Sequence, residues 1–120
     1  MADTTERQDL QTGQEIFLEG DLGVSAYIVQ SGEIEIFKKV DGEEKVLGRV
    51  GSGGIIGEMS LIDSQPHVAS ARALSDTEVS LISRQSFQQR LDRLEESDRV
   101  LRRLIGVLVD RLRGQDRARW

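Results

Sequence analysis

The residues best suited to chemistry lie in one stretch that combines a dense run of glycines with a glutamate and the only histidine of the sequence. Glycines at positions 51, 53, 54 and 57 lead into Glu58, and a short helical turn is predicted over residues 59–62. Glycine at a helix start lets backbone N–H groups approach an anion closely, and a neighbouring carboxylate can accept hydrogen bonds from sugar hydroxyls. Spacing alone leaves two interpretations open: a phosphate-binding loop, or a glycine-rich connection in which Glu58 stabilises a helix start.

Composition limits the other kinds of chemistry. The 120 residues include no cysteine and one histidine, so disulfides, thiolate metal sites and histidine-based zinc sites are excluded. The sequence also shows no nucleophile paired with a general base. We therefore expect a domain that is not an enzyme and that holds no metal.

The charge distribution bears on possible partners. Residues 1–83 contain six Lys/Arg and fifteen Asp/Glu, a net charge of −9, whereas residues 84–120 carry a net charge of +4. The acidic part repels nucleic acid, and the basic part interleaves its arginines with acidic residues, as a solvated helix face does. No apolar run is long enough to span a bilayer and the N-terminus is no signal peptide. We expect no nucleic-acid or membrane partner and a cytoplasmic location.

The elements that must position the glycine-rich stretch are mostly short strands. Residues 33–38 alternate acidic and apolar side chains, which is typical of a half-buried strand, and Asp41-Gly42 then predicts a tight hairpin turn. Further strands are predicted at residues 14–18, 26–29, 45–50, 68–74 and 77–82. The sequence indicates a mainly β domain over residues 13–83, preceded by a flexible N-terminal tail over residues 1–12.

The pattern changes to helical spacing after residue 83. Ser83 and Ser97 are predicted to cap two successive helices, and the second carries a wide apolar stripe from Val100 to Leu112. That stripe exceeds what one small β domain needs to cover, so residues 97–113 are predicted to contact a partner helix in a homodimer or another protein. Residues 84–120 form hinge and dimerisation helices in this interpretation. The sequence stops at Trp120, before any recognition helix, which favours a stand-alone regulator over a transcription factor.

Two adjacent motifs then point to a family. The run Gly-Glu-Met-Ser-Leu at 57–61, followed by Pro-x-x-Ala-Ser-x-x-Ala at 66–73, is similar to the phosphate-binding cassette of cyclic-nucleotide-binding domains. The similarity continues through residues 20–21, 26–29, 31–34 and 47–53, and covers about residues 13–112. The resemblance implies an eight-stranded β-roll with C-terminal helices, a cassette at residues 57–70, and cAMP or cGMP as ligand.

The resemblance also implies roles for individual residues. Glu58 would bind the ribose 2′-hydroxyl, the backbone at Gly57, Met59 and Ser60 would face the nucleotide, and Ile36 and Leu47 would line the base pocket. Ser70 lies within the cassette and belongs to the candidate set, although its position on a strand favours a structural role. His67 and Val68 complete the set, and both depart from the family pattern.

These departures concern the phosphate group. The family places an arginine where this sequence has His67, and many members place a Ser or Thr hydroxyl where it has Val68. An arginine grips two phosphate oxygens with a permanent charge, whereas a histidine with an ordinary pKa near 6.5 is mostly neutral at pH 7. Its loss should cost about 2–4 kcal/mol, or two to three decades of affinity. Two hypotheses follow: a weak cyclic-nucleotide sensor that signals through its C-terminal helices, or a degenerate domain that serves as an interaction or dimerisation scaffold.

Overall fold

A computed structural model describes residues 6–62 and 65–113 of the chain. Within them lie eight strands, β1 (Glu6–Leu10), β2 (Glu15–Phe17), β3 (Ser25–Ser31), β4 (Glu33–Val40), β5 (Glu43–Gly51), β6 (Ile55–Ile56), β7 (Ser70–Ala73) and β8 (Thr77–Ser83). A 3₁₀ helix (Glu58–Leu61) follows β6, and the helices α1 (Arg84–Ser97) and α2 (Arg99–Arg113) follow β8.

The described strands form two four-stranded antiparallel sheets, in the orders β1-β8-β3-β6 and β2-β7-β4-β5. Both sheets contribute to one hydrophobic core, in which the largest fully buried apolar side chains are Ile34, Ile36, Ile56, Val29 and Val79. Burial of these branched side chains is the main stabilising contribution of the two sheets. The predicted fold class, a mainly β roll with C-terminal helices, is confirmed.

Strand β4 shows how the alternation in the sequence becomes two faces of a sheet. Ile34 and Ile36 lie in the core, whereas Glu35 and Phe37 contact Arg72 of the neighbouring strand β7 on the opposite face. Pairing with β5 shifts register between Ile36, opposite Gly48, and Phe37, opposite Val46, so Leu47 is an extra residue on β5. A bulge of this kind leaves the alternation of β4 intact.

The N-terminal segment departs from the prediction. Residues 6–10, assigned to a flexible tail, form strand β1, which pairs with β8 from Glu6 opposite Leu81 to Leu10 opposite Thr77. Four of its five residues are exposed and Leu10 alone enters the core. A strand held by backbone pairing and one apolar side chain has no alternation for a periodicity argument to detect.

The two helices begin at different kinds of cap. The Oγ of Ser83 accepts a hydrogen bond from the N–H of Ser86 at 3.0 Å, as predicted for the start of α1. Ser97 was also predicted to be a cap, but it is the last residue of α1, and Asp98 Oδ1 accepts from the N–H of Leu101 at 3.1 Å instead. Both residue types suit the position, so only the exact end of α1 decides between them.

Helix α2 exposes much of its apolar stripe. Side chains on it that are at least two-fifths exposed include Val100, Leu101, Leu104, Val107 and Leu108. Neither α1 nor α2, within the residues described, has the length and apolarity that crossing a lipid bilayer requires.

Candidate functional site

The predicted cassette begins with a tight backbone turn. Gly57 has φ 69° and ψ 21°, in the left-handed region that glycine adopts without strain. The 3₁₀ helix Glu58–Leu61 follows directly, and Pro66 returns the chain to the body of the domain through an isolated bridge with Leu22. The local structure thus matches the predicted order of glycine turn, short helix and strand.

His67 lies inside the domain beside this turn and is only 7% exposed. Its ring stacks on that of Phe17, with centroids 3.7 Å apart and planes 6° from parallel. Its backbone N–H donates to the carbonyl of Asp21 at 2.8 Å, and its carbonyl accepts from the N–H of Gly20 at 2.9 Å. The stacking on Phe17 therefore positions the imidazole, and the two backbone hydrogen bonds fix the main chain of residue 67.

Two glycines lie beside the ring of His67. A Cβ at Gly57 would lie 3.4 Å from His67 Cε1, and one at Gly23 would lie 3.5 Å from the same atom while colliding with the Oγ of Ser60. The ring of His67 therefore lies at ordinary contact distance from both glycine positions, and Gly23 leaves the room that the Oγ of Ser60 occupies. The sequence interpretation used Gly57 for the close approach of backbone N–H groups to an anion, and it gave Gly23 no role in packing.

The start of the 3₁₀ helix carries two buried polar atoms that are unusual. Within the described part of the chain, Glu58 Oε2 and Ser60 Oγ have no hydrogen-bond partner. Buried polar atoms are nearly always paired in folded proteins, because an unpaired one costs free energy. A carboxylate oxygen left in this state is suited to accept a hydrogen bond from a polar ligand.

The remaining predicted site residues fall in different environments. Ile36 is fully buried in the core, Leu47 is 39% exposed at the bulge of β5, and Met59 and Val68 are half-buried. Ser70 is buried and its Oγ accepts the N–H of Glu19 at 2.8 Å, a bond that ties β7 to the loop after β2. The structure gives Ser70 the structural contact that its strand position favoured.

Arg84, the first residue of α1, joins the helix to the cassette. Its Nε donates to the carbonyl of Ser60 at 2.8 Å and its Nη2 donates to the carbonyl of Gly23 at 2.9 Å. Sequence reasoning missed this residue, because its partners lie 24 and 61 positions away. An arginine directly after a predicted N-cap has no sequence pattern that would predict hydrogen bonds to distant backbone carbonyls.

A second arginine is held on the outer face of the sheet. Arg72 pairs with Glu35 at 2.7 Å and with Glu44 at 3.0 Å, and its guanidinium lies 4.1 Å from the centre of the Phe37 ring. Hydrogen bonding to Glu35 raises the pKa of Arg72 above its ordinary value. This guanidinium is therefore fully engaged on the face away from the core and does not replace the arginine missing at position 67.

An open cavity of about 470 Å³ lies next to the cassette. Its lining includes Glu19, Gly20, Lys38, Gln65, Pro66, His67 and Val68. The volume is within the range of small-molecule sites. In the same described residues, no three His, Cys, Asp or Glu side chains are grouped so that they could hold a metal ion.

Comparison with known proteins decides the family. A family model described as the cyclic nucleotide-binding domain matches residues 7–93. The chain belongs to this family. The resemblance of the two cassette motifs is thereby confirmed.

Curated relatives of this cyclic-nucleotide-binding domain are regulators. It is 38% identical over 105 residues to the Cyclic AMP receptor protein of Thermus thermophilus, covering 87% of this chain and 47% of the relative. It is 38% identical over 95 residues to the cAMP-dependent protein kinase regulatory subunit of Hypocrea atroviridis, covering 79% of this chain and 20% of that subunit. The chain thus spans less than half the length of these relatives.

Solved structures show the same architecture. The half-site-occupied form of EAL enzyme Bd1971 superposes with a TM-score of 0.83 at 39% identity, covering 91% of this chain and 96% of that one. The Catabolite Activator Protein of Thermus thermophilus gives a TM-score of 0.73 at 36% identity, covering 91% of this chain and 50% of that one. The regulatory domain of Toxoplasma gondii PKA with cAMP gives 0.68 at 32% identity, covering 72% and 33%.

Proposed function

We propose that this domain is a non-enzymatic sensor that binds cAMP or cGMP weakly at its cassette and signals through α1 and α2. The observation that carries the proposal is the buried Oε2 of Glu58, which has no hydrogen-bond partner within residues 6–62 and 65–113 and lies next to the left-handed turn at Gly57. The family resemblance puts the ribose 2′-hydroxyl at that oxygen, so the ligand would supply the missing hydrogen bond. Similar solved structures include cAMP-bound and cGMP-bound forms of Bd1971.

The weakness of binding follows from position 67. The stacked imidazole of His67 offers at most a single donor from each ring nitrogen and lacks the planar fork of arginine. Val68 adds no hydroxyl. We expect dissociation constants in the high-micromolar range or above at neutral pH, about two to three decades weaker than with an arginine contact.

The route of the signal is the contact between Arg84 and the cassette. The guanidinium at the first residue of α1 binds carbonyls of both the 3₁₀ helix and the loop before β3. A ligand that moves the 3₁₀ helix must therefore move α1 or break these bonds. The size of the shift is limited by the difference in ligand affinity between the two positions of the helix.

The receiving surface is the exposed apolar stripe of α2. Its leucines and valines give residues 97–113 a surface suited to a second copy of this chain or to another regulatory partner. The acidic body disfavours nucleic acid as that partner. A cytoplasmic setting and the absence of a membrane partner are parts of the same proposal.

Calorimetry with cAMP and cGMP tests the binding step. The wild type should bind one of them at high-micromolar concentration or above, and His67→Arg should bind it about 100-fold more tightly. Val68→Thr serves as a milder variant, because it adds one hydroxyl without displacing the stacked ring. Sub-micromolar binding by the wild type would contradict the role given to position 67.

The alternative, a scaffold without ligand, is favoured by one observation. The buried ring of His67 stacks on Phe17 and lies beside Gly23 and Gly57, where a longer side chain or a phosphate would need room. If neither the wild type nor His67→Arg binds a nucleotide, the domain acts only through its helices. Light scattering on the wild type and on a Leu104→Ser/Leu108→Ser variant then measures that role, and an unchanged monomer in both would exclude a dimer.

A further inference from the structure

Strand β4 carries a lysine on the face that looks into the domain. Ile34 and Ile36 of this strand enter the core, and Glu35 and Phe37 contact Arg72 on the outer face. The extra residue at the bulge is on β5, so the alternation of β4 continues and places Lys38 on the inner face. Its neighbour Lys39 falls on the outer face.

The cavities agree with this assignment. Lys38 lines the cavity of about 470 Å³ together with His67 and Val68. Lys39 lines an adjoining cavity of about 510 Å³, which shares Glu19 and Gly20 with the first but contains Phe37 and Glu44 in place of His67 and Val68. Lys38 therefore lines the same cavity as the two positions at which the cassette departs from its family.

The present partner of Lys38 holds it loosely. Its Nζ lies 3.8 Å from Glu19 Oε2, and the two side chains are 42% and 40% exposed. An ion pair at this distance and exposure is screened by water and contributes little to stability. The flexible lysine stem allows the ammonium to leave Glu19 for a stronger anion.

We propose that Lys38 supplies the positive charge for the phosphate group of a bound cyclic nucleotide, in place of the arginine missing at position 67. The inference rests on the proposed function and names the cation that the function requires. An anion in this cavity would meet an acidic domain that lacks an arginine at position 67, so a nearby ammonium is needed for useful affinity. Lysine acts as a point charge without the bidentate fork, which is consistent with weak binding.

Glu19 then acts as a competitor for the ligand. Its carboxylate lines the same cavity and pairs with the same ammonium. A nucleotide phosphate must displace it, and the cost of doing so lowers the affinity. Removal of the Glu19 charge should therefore strengthen binding.

The test compares two lysines that differ in face but not in charge or strand. Calorimetric titration of the full chain with cAMP and cGMP should show about tenfold weaker binding for Lys38→Met than for wild type. Lys39→Met, which loses the same charge, should bind within about twofold of wild type. Lys38→Arg should retain binding, and urea unfolding of each variant checks that it is folded.

Glu19→Gln gives a second measurement in the opposite direction and does not depend on the folding of the lysine variants. It should bind about threefold more tightly, whereas the matched Glu43→Gln, at the start of β5, should change affinity by less than about twofold. If Lys38→Met and Lys39→Met weaken nucleotide binding equally, the role of Lys38 is wrong while the proposed function stands. The same holds if Lys38→Met does not change the affinity, or if Glu19→Gln does not. A wild type that binds neither nucleotide at millimolar concentration would overturn this inference together with the proposed function.

Discussion

The two faces of the sheet around β7 differ in how completely their charged side chains are paired. On the outer face, Arg72 is bound by two carboxylates and an aromatic ring. On the inner side, at the cassette, Glu58 Oε2 is buried and has no hydrogen-bond partner among the residues that the structure describes, and Lys38 pairs only loosely with Glu19. The outer arrangement is complete and serves stability, whereas the inner one lacks partners that a ligand can supply.

This difference explains why one arginine cannot stand in for another. Arg72 lies five positions from His67 in the sequence, yet β7 directs it away from the core, where leaving Glu35 would abandon a buried carboxylate. Moving it to the cassette would lose more free energy, by leaving Glu35 unpaired, than a contact with phosphate would gain. Side chains whose contacts contribute little to stability, such as Lys38, are better candidates for ligand contacts.

The largest expected effect breaks the outer arrangement. Arg72→Met leaves the Glu35 carboxylate, only 8% exposed, without its cation and should lower the free energy of unfolding by about 3 kcal/mol. Arg7→Met is the control, because Arg7 is 73% exposed in its pair with Glu78, and it should cost about 0.5 kcal/mol or less. Urea unfolding measures both. The raised pKa of Arg72 keeps this stabilisation present below the ordinary arginine pKa, so it should not change between pH 6 and 8.

The next effect tests whether the inner side is built for a ligand. Glu58→Gln should weaken cyclic-nucleotide binding by about tenfold or more, because a hydrogen bond to a charged acceptor is lost. It should leave the free energy of unfolding unchanged or higher, since Oε2 has no partner to lose among the described residues. Calorimetry and urea unfolding on the same sample separate the two outcomes. A loss of stability would show that Glu58 has a structural role like that of Arg72.

A smaller effect concerns the link between the cassette and α1. Arg84→Gln removes two hydrogen bonds and should cost about 1–2 kcal/mol of stability. It should also reduce the change in amide hydrogen exchange of α1 that saturating cAMP produces in the wild type. Arg90→Gln, an exposed change on the same helix, should leave that response intact. If Arg84→Gln keeps the full response, the signal travels by another path.

The smallest effect is the pH dependence of binding. A histidine protonates below its ordinary pKa near 6.5, and its protonated form attracts phosphate, so affinity should increase about three- to tenfold from pH 8 to pH 6. His67→Asn should remove the dependence in a calorimetric titration, and a slope that survives this change would assign it to another group.

Sequence reasoning succeeded where local patterns are sufficient. The alternation in β4, the Asp41-Gly42 turn between β4 and β5, and the Ser83 cap all appear as predicted. It failed for β1, because four of its five side chains are exposed, and for the cap of α2, because two suitable residues adjoin. It also missed Phe17, Gly23 and Arg84, whose importance depends on partners that are distant along the chain.

The sequence by itself determined the family, the mainly β fold and the departure at positions 67 and 68. Those properties depend on residue type and on spacing within a few positions. The tertiary structure alone decided that His67 stacks on Phe17, that Arg72 points outward and that Lys38 faces the cassette cavity. The physical reason is that sheet register and strand bulges set which face a side chain occupies, and these are fixed by pairing between distant strands.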